Sequence, residues 1–282
     1  MPWWTWPNSS CPLDHCMSGI VKYIKSLQNK KIRALENRFI VEGIRAVEEL
    51  LKTPGTGFKA VYTAELEQNR RGKLLLDNLE KNKIEIYQIS QREMEQLSEC
   101  DTPSGVLAAV KAKEYSLAEI LEQPKPFLLI LDEIQDPGNL GTIIRTAEAA
   151  GVNGIIISRD SVDPHNSKVV RASMGSILRM PVVRDSNMSK LLALLKTKKI
   201  RIIASDLNSR KYYYQANWEL PLALVLGNEG AGLSREILDK VDETVKIPQK
   251  HSVESLNVAI ASAIIMYQVV EKGSASAKAS AR

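Results

Sequence analysis

Three loops in this sequence hold asparagine, glutamate or arginine, two of them together with glycine, and each follows a predicted strand. The first, 132-DEIQDPGNLGTIIRTAEAAGV-152, contains Asn139, Gly141 and Arg145 but no cysteine, histidine or serine. Asn139 is placed to cap a helix, while Arg145 either extends past apolar neighbours to water or meets an anion such as phosphate. The loop therefore favours orientation of a ligand over attack by a side-chain nucleophile.

The second loop, 222-LALVLGNEGAGLS-234, carries Gly227, Gly230 and Gly232 after a buried strand, with Glu229 as its one charged residue. Its spacing, G-x-x-G-x-G, differs from the dinucleotide fingerprint G-x-G-x-x-G, and the ribose-binding acid of that fingerprint is missing. Glycines in a tight turn would explain the loop without a ligand. The functional alternative is a backbone free of side chains, against which an adenosine-like ligand can lie.

The third loop, 247-IPQKHSVESLNVAIASAI-264, leads into an apolar helix. Ser255 is predicted to cap this helix, and Asn257 falls in its first turn, where asparagine is mildly unfavourable without a use. The apolar Ile247 and Leu256 could wall a pocket for a flat purine. The N-terminus of the helix also offers free N–H groups to an anion or carboxylate.

Aliphatic runs and helical segments alternate after residue 126, which predicts a mostly parallel sheet with helices on both faces. The predicted strands are 127–131, 154–157, 180–183, 201–204, 223–226 and 244–247, and a final helix covers 256–271. Ligands of such sheets bind outside the carboxyl ends of the strands. Because each loop follows one of these strands, we expect the three loops to meet at one site.

A small α/β domain is predicted over 20–113, joined by a linker at 114–126 to a larger domain at 127–272. The first part of the small domain, 20–51, has a helical pattern, followed by strands at 59–64, 84–90 and 105–112 and helices at 65–81 and 91–98. The helical part holds a basic cluster that is either a solvated face or a surface for a polyanion: Lys22, Lys25, Lys30, Lys31, Arg33 and Arg38. Residues 1–19 are predicted to be a disordered extension or a start-site artefact, and 273–282 a disordered tail.

Composition limits the class of protein without deciding it. The net charge of +5 fits an ordinary basic surface as well as a polyanionic partner, and with 5% aromatic residues nucleic-acid binding would depend more on charge than on stacking. Three cysteines are too few for a disulfide framework and favour the reducing cytoplasm. Cys11 and Cys16 cannot complete a zinc site, so no metal is predicted, and the longest apolar stretch, 258–270, is too short to span a membrane.

Taken together, the three loops resemble the SpoU, or TrmH, family of RNA ribose methyltransferases within the SPOUT class. The motif N-x-G-x-x-x-R is matched by Asn139, Gly141 and Arg145, and the motif G-x-E-G-x-G by Gly227, Glu229, Gly230 and Gly232. An I-P pair followed by S-L-N-V is matched by Ile247, Pro248, Ser255, Leu256, Asn257 and Val258. Each motif alone is weak, but three in order on matching elements are specific. The stretch 39–51, FIVEGIRAVEELL, also resembles the start of the substrate-binding domain that many members carry.

This resemblance implies a C-terminal α/β-knot domain, in which the chain around the second and third motifs threads through itself, behind a small α/β RNA-binding domain. It implies that S-adenosylmethionine lies bent in the knot, against Leu226, Gly227, Gly230, Gly232, Ile247, Pro248, Leu256 and Asn257. It further implies a homodimer whose active site takes residues from both protomers.

The implied reaction is methyl transfer to a ribose 2′-hydroxyl of structured RNA, a direct displacement that needs neither a protein nucleophile nor a metal. Arg145 is the activating residue of the family. Since a guanidinium is protonated at neutral pH, its favoured role is to hold the hydroxyl and the flanking phosphate, and proton removal by a perturbed guanidinium stays open. Asn139, Glu229, Ser255 and Asn257 would orient Arg145 and the ribose.

Ribosomal RNA is the favoured substrate because a small domain precedes the catalytic one, and transfer RNA is the alternative. A non-catalytic RNA-binding paralogue is a second alternative, which the intact motif residues argue against. A nicotinamide-dependent dehydrogenase fits poorly because of the glycine spacing. Single-stranded loops or bulges are the expected local target, and the sequence does not specify the nucleotide.

Overall fold

The computed structural model describes residues 13–185, 187–250 and 255–280. The chain divides into two compact units, the first Met1–Lys113 with His165–Ser167, the second Glu114–Pro164 with Lys168–Arg282. The helices are α1 Leu13–Ser26, α2 Lys30–Glu36, α3 Ile44–Lys52, α4 Ala64–Gln68, α5 Arg70–Lys81, α6 Gln91–Leu97, α7 Leu117–Leu121, α8 Pro137–Ala149, α9 Ser167–Ala172, α10 Met188–Thr197, α11 Arg235–Leu238 and α12 Val258–Ser280. The strands are β1 Arg38–Glu42, β2 Phe58–Tyr62, β3 Glu85–Gln88, β4 Val106–Lys111, β5 Phe127–Leu131, β6 Gly154–Ser158, β7 Val182–Asp185, β8 Arg201–Ser205, β9 Leu222–Leu226 and β10 Glu243–Val245.

The first unit contains a four-stranded mixed sheet in the order β1-β4-β2-β3. Strand β4 runs antiparallel to β1 and β2, while β2 and β3 are parallel. Ile24 of α1, Leu27 directly after it, and Met94 and Leu97 of α6 are buried against Leu107 of this sheet. Burial of these side chains is the main stabilising term of the unit.

Strand β1 corrects the prediction that 20–51 is helical. Asn37 adopts a left-handed conformation (φ 48°) that ends α2, and Gly43 at φ 106° precedes α3. Between them Phe39 and Val41 face the core and pair with β4. The β-branched and aromatic residues favour a strand, and the two backbone breaks isolate it from the flanking helices. The predicted helix 65–81 is likewise divided, at Asn69, which caps α5.

The second unit contains a six-stranded sheet in the order β10-β8-β9-β5-β6-β7, in which every pairing is parallel. One face packs against α7, α10 and α11 through a cluster that includes Ile130, Val225 and Leu192. Because side chains alternate between the faces of a strand, the neighbouring buried residues Leu129 and Leu224 face the other side, where α8 packs against α12. Helices therefore cover both faces, as predicted.

The segment 114–126, predicted as a linker, contributes α7 to the second unit. Ile120 and Leu121 of this helix are buried in the core cluster. Ser116 caps the helix in a reciprocal box with Glu119, which explains how so short a helix is defined. The segment is thus packed onto the sheet over part of its length.

Both chain ends differ from the predicted disordered segments where they are described. Residues 1–12 lie outside the described residues, but α1 already begins at Leu13. Helix α12 begins at Val258, two residues later than predicted, and continues to Ser280. Among the described residues, no helix is long and apolar enough to cross a membrane.

Candidate active site

The first loop is organised by Asp136, which caps α8. Its Oδ1 accepts a hydrogen bond of 2.7 Å from the backbone N–H of Asn139, and Pro137 occupies the first helical position. The prediction that Asn139 is the cap is therefore wrong, since Asp136 already satisfies the free N–H group. As a result the side chain of Asn139 is left to make other contacts.

Asn139 joins the three loops in one chain of hydrogen bonds. Its Nδ2 donates to Oε1 of Glu229 over 3.1 Å, and its Oδ1 accepts from Nδ2 of Asn257 over 2.8 Å. The partners are 90 and 118 residues away along the chain. The expectation that the loops meet at the carboxyl ends of the strands is thus met by direct side-chain contacts.

Glu229 fixes the first loop as well as the asparagine. Its two carboxylate oxygens accept hydrogen bonds of 3.3 Å from the backbone N–H groups of Gln135 and Asp136. Hydrogen bonds to an ionised acceptor are stronger than neutral ones. The carboxylate of Glu229 therefore holds both the backbone of this turn and the side chain of Asn139.

Asn257 caps α12, which corrects the predicted role of Ser255. The Oδ1 atom of Asn257 accepts from the N–H groups of Ala259 and Ile260, over 2.9 and 3.3 Å. Its amide group remains available to donate to Asn139. One side chain thus begins the helix and links it to the first loop, so its position is fixed from two sides. Ser255 lies exposed, two residues before the cap.

The glycine loop after β9 is tightly folded. A Cβ atom on Gly227 would lie 2.5 Å from the carbonyl carbon of Gly232, which itself has φ +70°. Asn228 closes the turn, because its Oδ1 accepts from the N–H groups of Gly230 and Ala231 while its Nδ2 donates to the carbonyl of Glu133. Both glycines at the ends of the loop are thus required by its backbone geometry.

Gly141 has a packing role on α8. A Cβ atom at this position would lie 2.5 Å from Cβ of Ala172 and 2.6 Å from the carbonyl oxygen of Val169. The glycine therefore allows α8 and α9 to approach closely. It positions the helix that begins with the first motif rather than contacting a ligand.

The loops enclose a cleft of about 640 Å³. Its lining includes every predicted catalytic residue except Arg145, and the predicted cofactor-binding residues Leu256 and Asn257. The full lining consists of Gln135, Asp136, Asn139, Asn228, Glu229, Ser255, Leu256, Asn257 and Val258. Leu226, Gly227 and Gly230 directly flank the lining residues Asn228 and Glu229 in the chain, and Gly232 is hydrogen-bonded to Asn228 through its backbone. Ile247 and Pro248 are not among the lining residues. Leu226 is buried and accepts a backbone hydrogen bond from Asp132 through its carbonyl. The third loop includes 251–254, which lie outside the described residues.

Arg145 does not line this cleft. It is exposed on the same stripe of α8 as Thr142 and Ala149, three and four residues away. Within the described part of the chain its guanidinium makes no hydrogen bond or salt bridge. The structure thus brings together Asn139, Glu229, Ser255 and Asn257 but leaves the predicted activating residue apart from them.

Asp132, at the carboxyl end of β5, is a buried acid that the sequence analysis did not select. Burial raises the pKa of its carboxyl group, and the nearby Glu133 and Asp160 raise it further, while a hydrogen bond from Ser158 acts in the opposite direction. An acidic residue directly after an entirely apolar strand was the available signal. The group lies at the start of the loop that carries Asn139.

The basic residues of the cluster predicted in the first unit fall into two groups. Lys22, Lys25, Lys30 and Lys31 are exposed. Arg33 is half-buried and donates from Nη1 to the carbonyl oxygens of Leu27 and Gln28, and Arg38 is half-buried in β1. The hydrogen bonds of Arg33 join α2 to the chain that follows α1, which gives this residue a structural role as well.

Comparison with known proteins identifies the family. Residues 126–267 match the model of the SpoU rRNA Methylase family, and residues 19–108 match that of the MRM3-like substrate binding domain. The chain belongs to the SpoU rRNA methylase family. The family and the fold class predicted from the three motifs are confirmed.

Relatives of this SpoU-family chain match over nearly their whole length. The 23S rRNA (guanosine(2553)-2′-O)-methyltransferase RlmP of Bacillus subtilis is 34% identical, over 88% of this chain and 95% of the relative. The 23S rRNA (guanosine-2′-O-)-methyltransferase RlmB of Escherichia coli is 30% identical, over 83% and 99%. Both matches thus extend across both units.

Two solved structures of SpoU-type enzymes carry the cofactor. The AdoMet-bound rRNA methyltransferase of Sinorhizobium meliloti has a TM-score of 0.77 at 29% identity, covering 91% of this chain and 95% of that one. The SpoU methyltransferase AviRb of Streptomyces viridochromogenes, in complex with AdoMet, has a TM-score of 0.79 at 27% identity, covering 90% and 97%. The fold described above is therefore that of cofactor-binding SpoU methyltransferases.

Proposed function

We propose that this protein transfers a methyl group from S-adenosylmethionine to a ribose 2′-hydroxyl of ribosomal RNA. The observation that carries the proposal is the hydrogen-bonded chain from Glu229 through Asn139 to Asn257. It joins all three family motifs at one edge of a parallel sheet, where such sheets bind ligands.

The residues around the cleft fit S-adenosylmethionine. Gly232 leaves open the space that a side chain would fill, so a flat ligand can approach the loop backbone there. Leu256 and Val258 supply apolar surface beside the polar amides, as in ordinary cofactor pockets. A volume of about 640 Å³ falls within the usual range of roughly 300–1,000 Å³ for a small-molecule site. When bound, the cofactor supplies an electrophilic methyl group on a sulfonium.

The protein itself contributes orientation. A displacement reaction requires the 2′-hydroxyl to lie in line at near-attack distance. The bridging asparagines, held by Glu229 and by the cap of α12, present amide groups with fixed directions to the cleft. Their role is to hold the ribose rather than to form a bond with it.

The protein acts as a homodimer in this proposal. Ile260, Tyr267 and Val270 of α12 are 53%, 50% and 38% exposed and follow a single helical stripe. An apolar stripe of this kind is suited to a matching surface on a second copy. Arg145, apart from the cleft of its own chain, would reach the cleft of the partner and hold the flanking phosphate there.

The first unit binds the RNA. Lys22, Lys25, Lys30 and Lys31 form an exposed basic patch suited to phosphates. Ribosomal rather than transfer RNA is favoured because relatives matched across both units are named as 23S rRNA methyltransferases. We infer a cytoplasmic location, which an RNA substrate and the scarcity of cysteine support.

Transfer of labelled methyl groups tests this proposal. The protein would be incubated with labelled S-adenosylmethionine and unmodified 23S rRNA or transfer RNA transcripts. We expect incorporation into 23S rRNA, and a loss of about 100-fold or more for Arg145→Ala, as when an electrostatic contact of a transition state is removed. A second variant, Arg145→Lys, keeps the positive charge but not the planar fork of donors, and so tests whether the charge alone is sufficient. Incorporation into transfer RNA alone would overturn the ribosomal substrate, and none into either RNA would overturn the activity.

A further inference from the structure

The segment 209–215, SRKYYYQ, belongs to none of the three motifs, yet it lies at the edge of the catalytic sheet. Tyr212 forms a parallel bridge with Lys246, which follows the last residue of β10. The N–H of Lys246 donates to the carbonyl of Lys211, and the N–H of Tyr213 donates to the carbonyl of Lys246, both over 2.9 Å. The segment thus extends the sheet beyond β10 by a short stretch.

Three consecutive tyrosines of this segment form a cluster of rings. The rings of Tyr212 and Tyr214 are stacked, with centroids 5.5 Å apart and planes at 18°. Tyr213 meets Tyr214 edge-on, at 5.4 Å and 75°. Tyr214 nevertheless remains 49% exposed, so we infer that the ring face away from Tyr212 is open to solvent.

Hydrogen bonds with Trp218 and Gln215 hold the backbone of the tyrosine cluster in place. Trp218 is buried at 2% exposure and donates from Nε1 to the carbonyl oxygen of Tyr213 over 2.8 Å. The N–H of Tyr212 donates to the side chain of Gln215. A stacking surface that is ordered before binding loses little conformational entropy when a ligand arrives.

Positive charge lies beside the tyrosine cluster, against the ring of Tyr212. The Nζ of Lys246 lies 5.6 Å from the ring centroid of Tyr212, within the range of a cation–π contact. Arg210 is exposed and makes no salt bridge among the described residues. Lys211 differs, because it is paired with Glu243. Arg210 and Lys246 are thus the cations that remain for an external anion.

The position of the cluster relates it to the catalytic cleft. Because all strands are parallel, the carboxyl end of β10 lies at the same edge as the loops that follow β5 and β9. Only β8 separates β10 from β9. The segment lies outside β10, so three strand spacings, about 14 Å, separate it from β9, a distance that a few nucleotides of one RNA strand can bridge.

We propose that Tyr214, supported by Tyr212, stacks on an unpaired base of the substrate RNA close to the target nucleotide, while Arg210 and Lys246 contact its phosphates. Aromatic faces flanked by cations are the usual means of holding single-stranded RNA. The proposal rests on the proposed function and adds a positioning site to it. A second copy of this chain fits less well, because a patch meeting itself across a twofold axis brings like charges together.

The test compares Tyr214→Ala with Tyr214→Phe, and uses Tyr267→Ala as a matched control. Tyr267 is equally exposed, at 50%, but lies on the stripe of α12 proposed for the dimer. We therefore expect Tyr267→Ala to lower the mass in solution. Dissociation constants for the RNA, KM and kcat for methyl transfer, and mass in solution would be measured for each. For Tyr214→Ala we expect KM and the dissociation constant to rise about 5- to 100-fold, the value of one base stack. We expect kcat and mass to be unchanged, and Tyr214→Phe to behave as wild type.

Unchanged RNA binding and KM in Tyr214→Ala, with methyl transfer intact in the wild type, would overturn the stacking site and leave the proposed function standing. A fall in mass like that of Tyr267→Ala would assign the cluster to a protein interface instead, which also overturns it. Absence of both RNA binding and methyl transfer in the wild type would remove the proposed function and this site with it. Cross-linking of 5-bromouridine RNA to residues 211–216 gives a direct readout, with label expected on Tyr214.

Discussion

Glu229 is the residue on which the geometry of the cleft most depends. Its oxygens accept from two backbone N–H groups of the first loop and from the amide of Asn139. A carboxylate suits this position because it can only accept. The acidic residue of the glycine loop thus acts through the first loop rather than on the reacting atoms.

Glu229→Gln tests this role. The amide of glutamine would turn a donor toward one of these N–H groups, at a cost of about 1–3 kcal/mol for an unsatisfied polar group. We expect kcat to fall roughly 10- to 100-fold and the melting temperature to fall by a few degrees. Glu236→Gln, at an exposed glutamate of α11, is the control and should leave kcat unchanged. Equal kcat values in the two variants would contradict the role.

Asp132 predicts a pH dependence of stability. Burial, and then Glu133 and Asp160, raise the pKa of its carboxyl above the ordinary 3.8, so its ionised form is less stable in the folded chain than in the unfolded one. The group's favourable contribution is therefore fully present below pH 3.8 and is lost as the pH rises through the raised pKa of the folded state.

Asp132→Asn should accordingly raise the free energy of unfolding at neutral pH, and the gain should shrink as the pH is lowered toward about 4. Urea unfolding at several pH values measures this. Asp77→Asn, at an exposed position of α5, should show no such trend. A lower free energy of unfolding for Asp132→Asn at neutral pH would contradict this prediction, because it would mean that the negative charge of Asp132 stabilises the fold.

At the level of elements, the first motif positions α8 as well as the cleft. Gly141 lets α8 approach α9, and Asp136 fixes where α8 begins. Asn257 in turn fixes the start of α12, which packs against α8. The two helices are therefore set by residues that also form the cleft.

Gly141→Ala should destabilise the second unit. The added methyl group would lie 2.5 Å from Cβ of Ala172 and 2.6 Å from a backbone carbonyl, so backbone must move. Overpacking of this kind costs about 1–3 kcal/mol, which thermal unfolding would detect as a lower melting temperature. Gly19→Ala in α1 has nothing within 4 Å of the new atom and should be neutral or slightly stabilising. A stable Gly141→Ala would mean that the two helices are not closely packed.

The elements that could be predicted from sequence are those whose pattern is unambiguous. The strand 127–131 has the predicted bounds because five aliphatic or aromatic residues in a row fit a strand buried on both faces. Strand β1 was missed because five residues between two helices are too few to show a period of their own. The choice between Asp136 and Asn139 as a cap depended on three-dimensional contacts, since both residue types are good caps.

At the level of the whole molecule, the family motifs were the decisive signal. Composition and periodicity indicated only a parallel α/β sheet, and they could not show that Asn139, Glu229 and Asn257 share one network. That network exists because three loops distant in sequence follow strands of one sheet. The homodimer stays a prediction, supported by the exposed stripe of α12 and by the position of Arg145.

Mixed dimers test whether the active site is shared. Arg145→Ala and Asn257→Ala variants would each be inactive alone. If Arg145 serves the cleft of the partner, a mixed dimer has one site with both changes and one with neither. Each mixed dimer should then have about half the activity of a wild-type dimer. If Arg145 serves its own cleft, each site of the mixed dimer carries one change. Methyl transfer that stays absent after mixing would therefore contradict a shared site.

The position of the transferred methyl group tests the central claim most directly. Labelled 23S rRNA from the methyl-transfer reaction would be digested with alkali, which requires a free 2′-hydroxyl to cleave the adjacent phosphodiester. We predict that the label remains in alkali-resistant dinucleotides, since the methyl group lies on the ribose oxygen. Label in mononucleotides would mean methylation of a base, and would contradict a cleft built to orient a ribose 2′-hydroxyl.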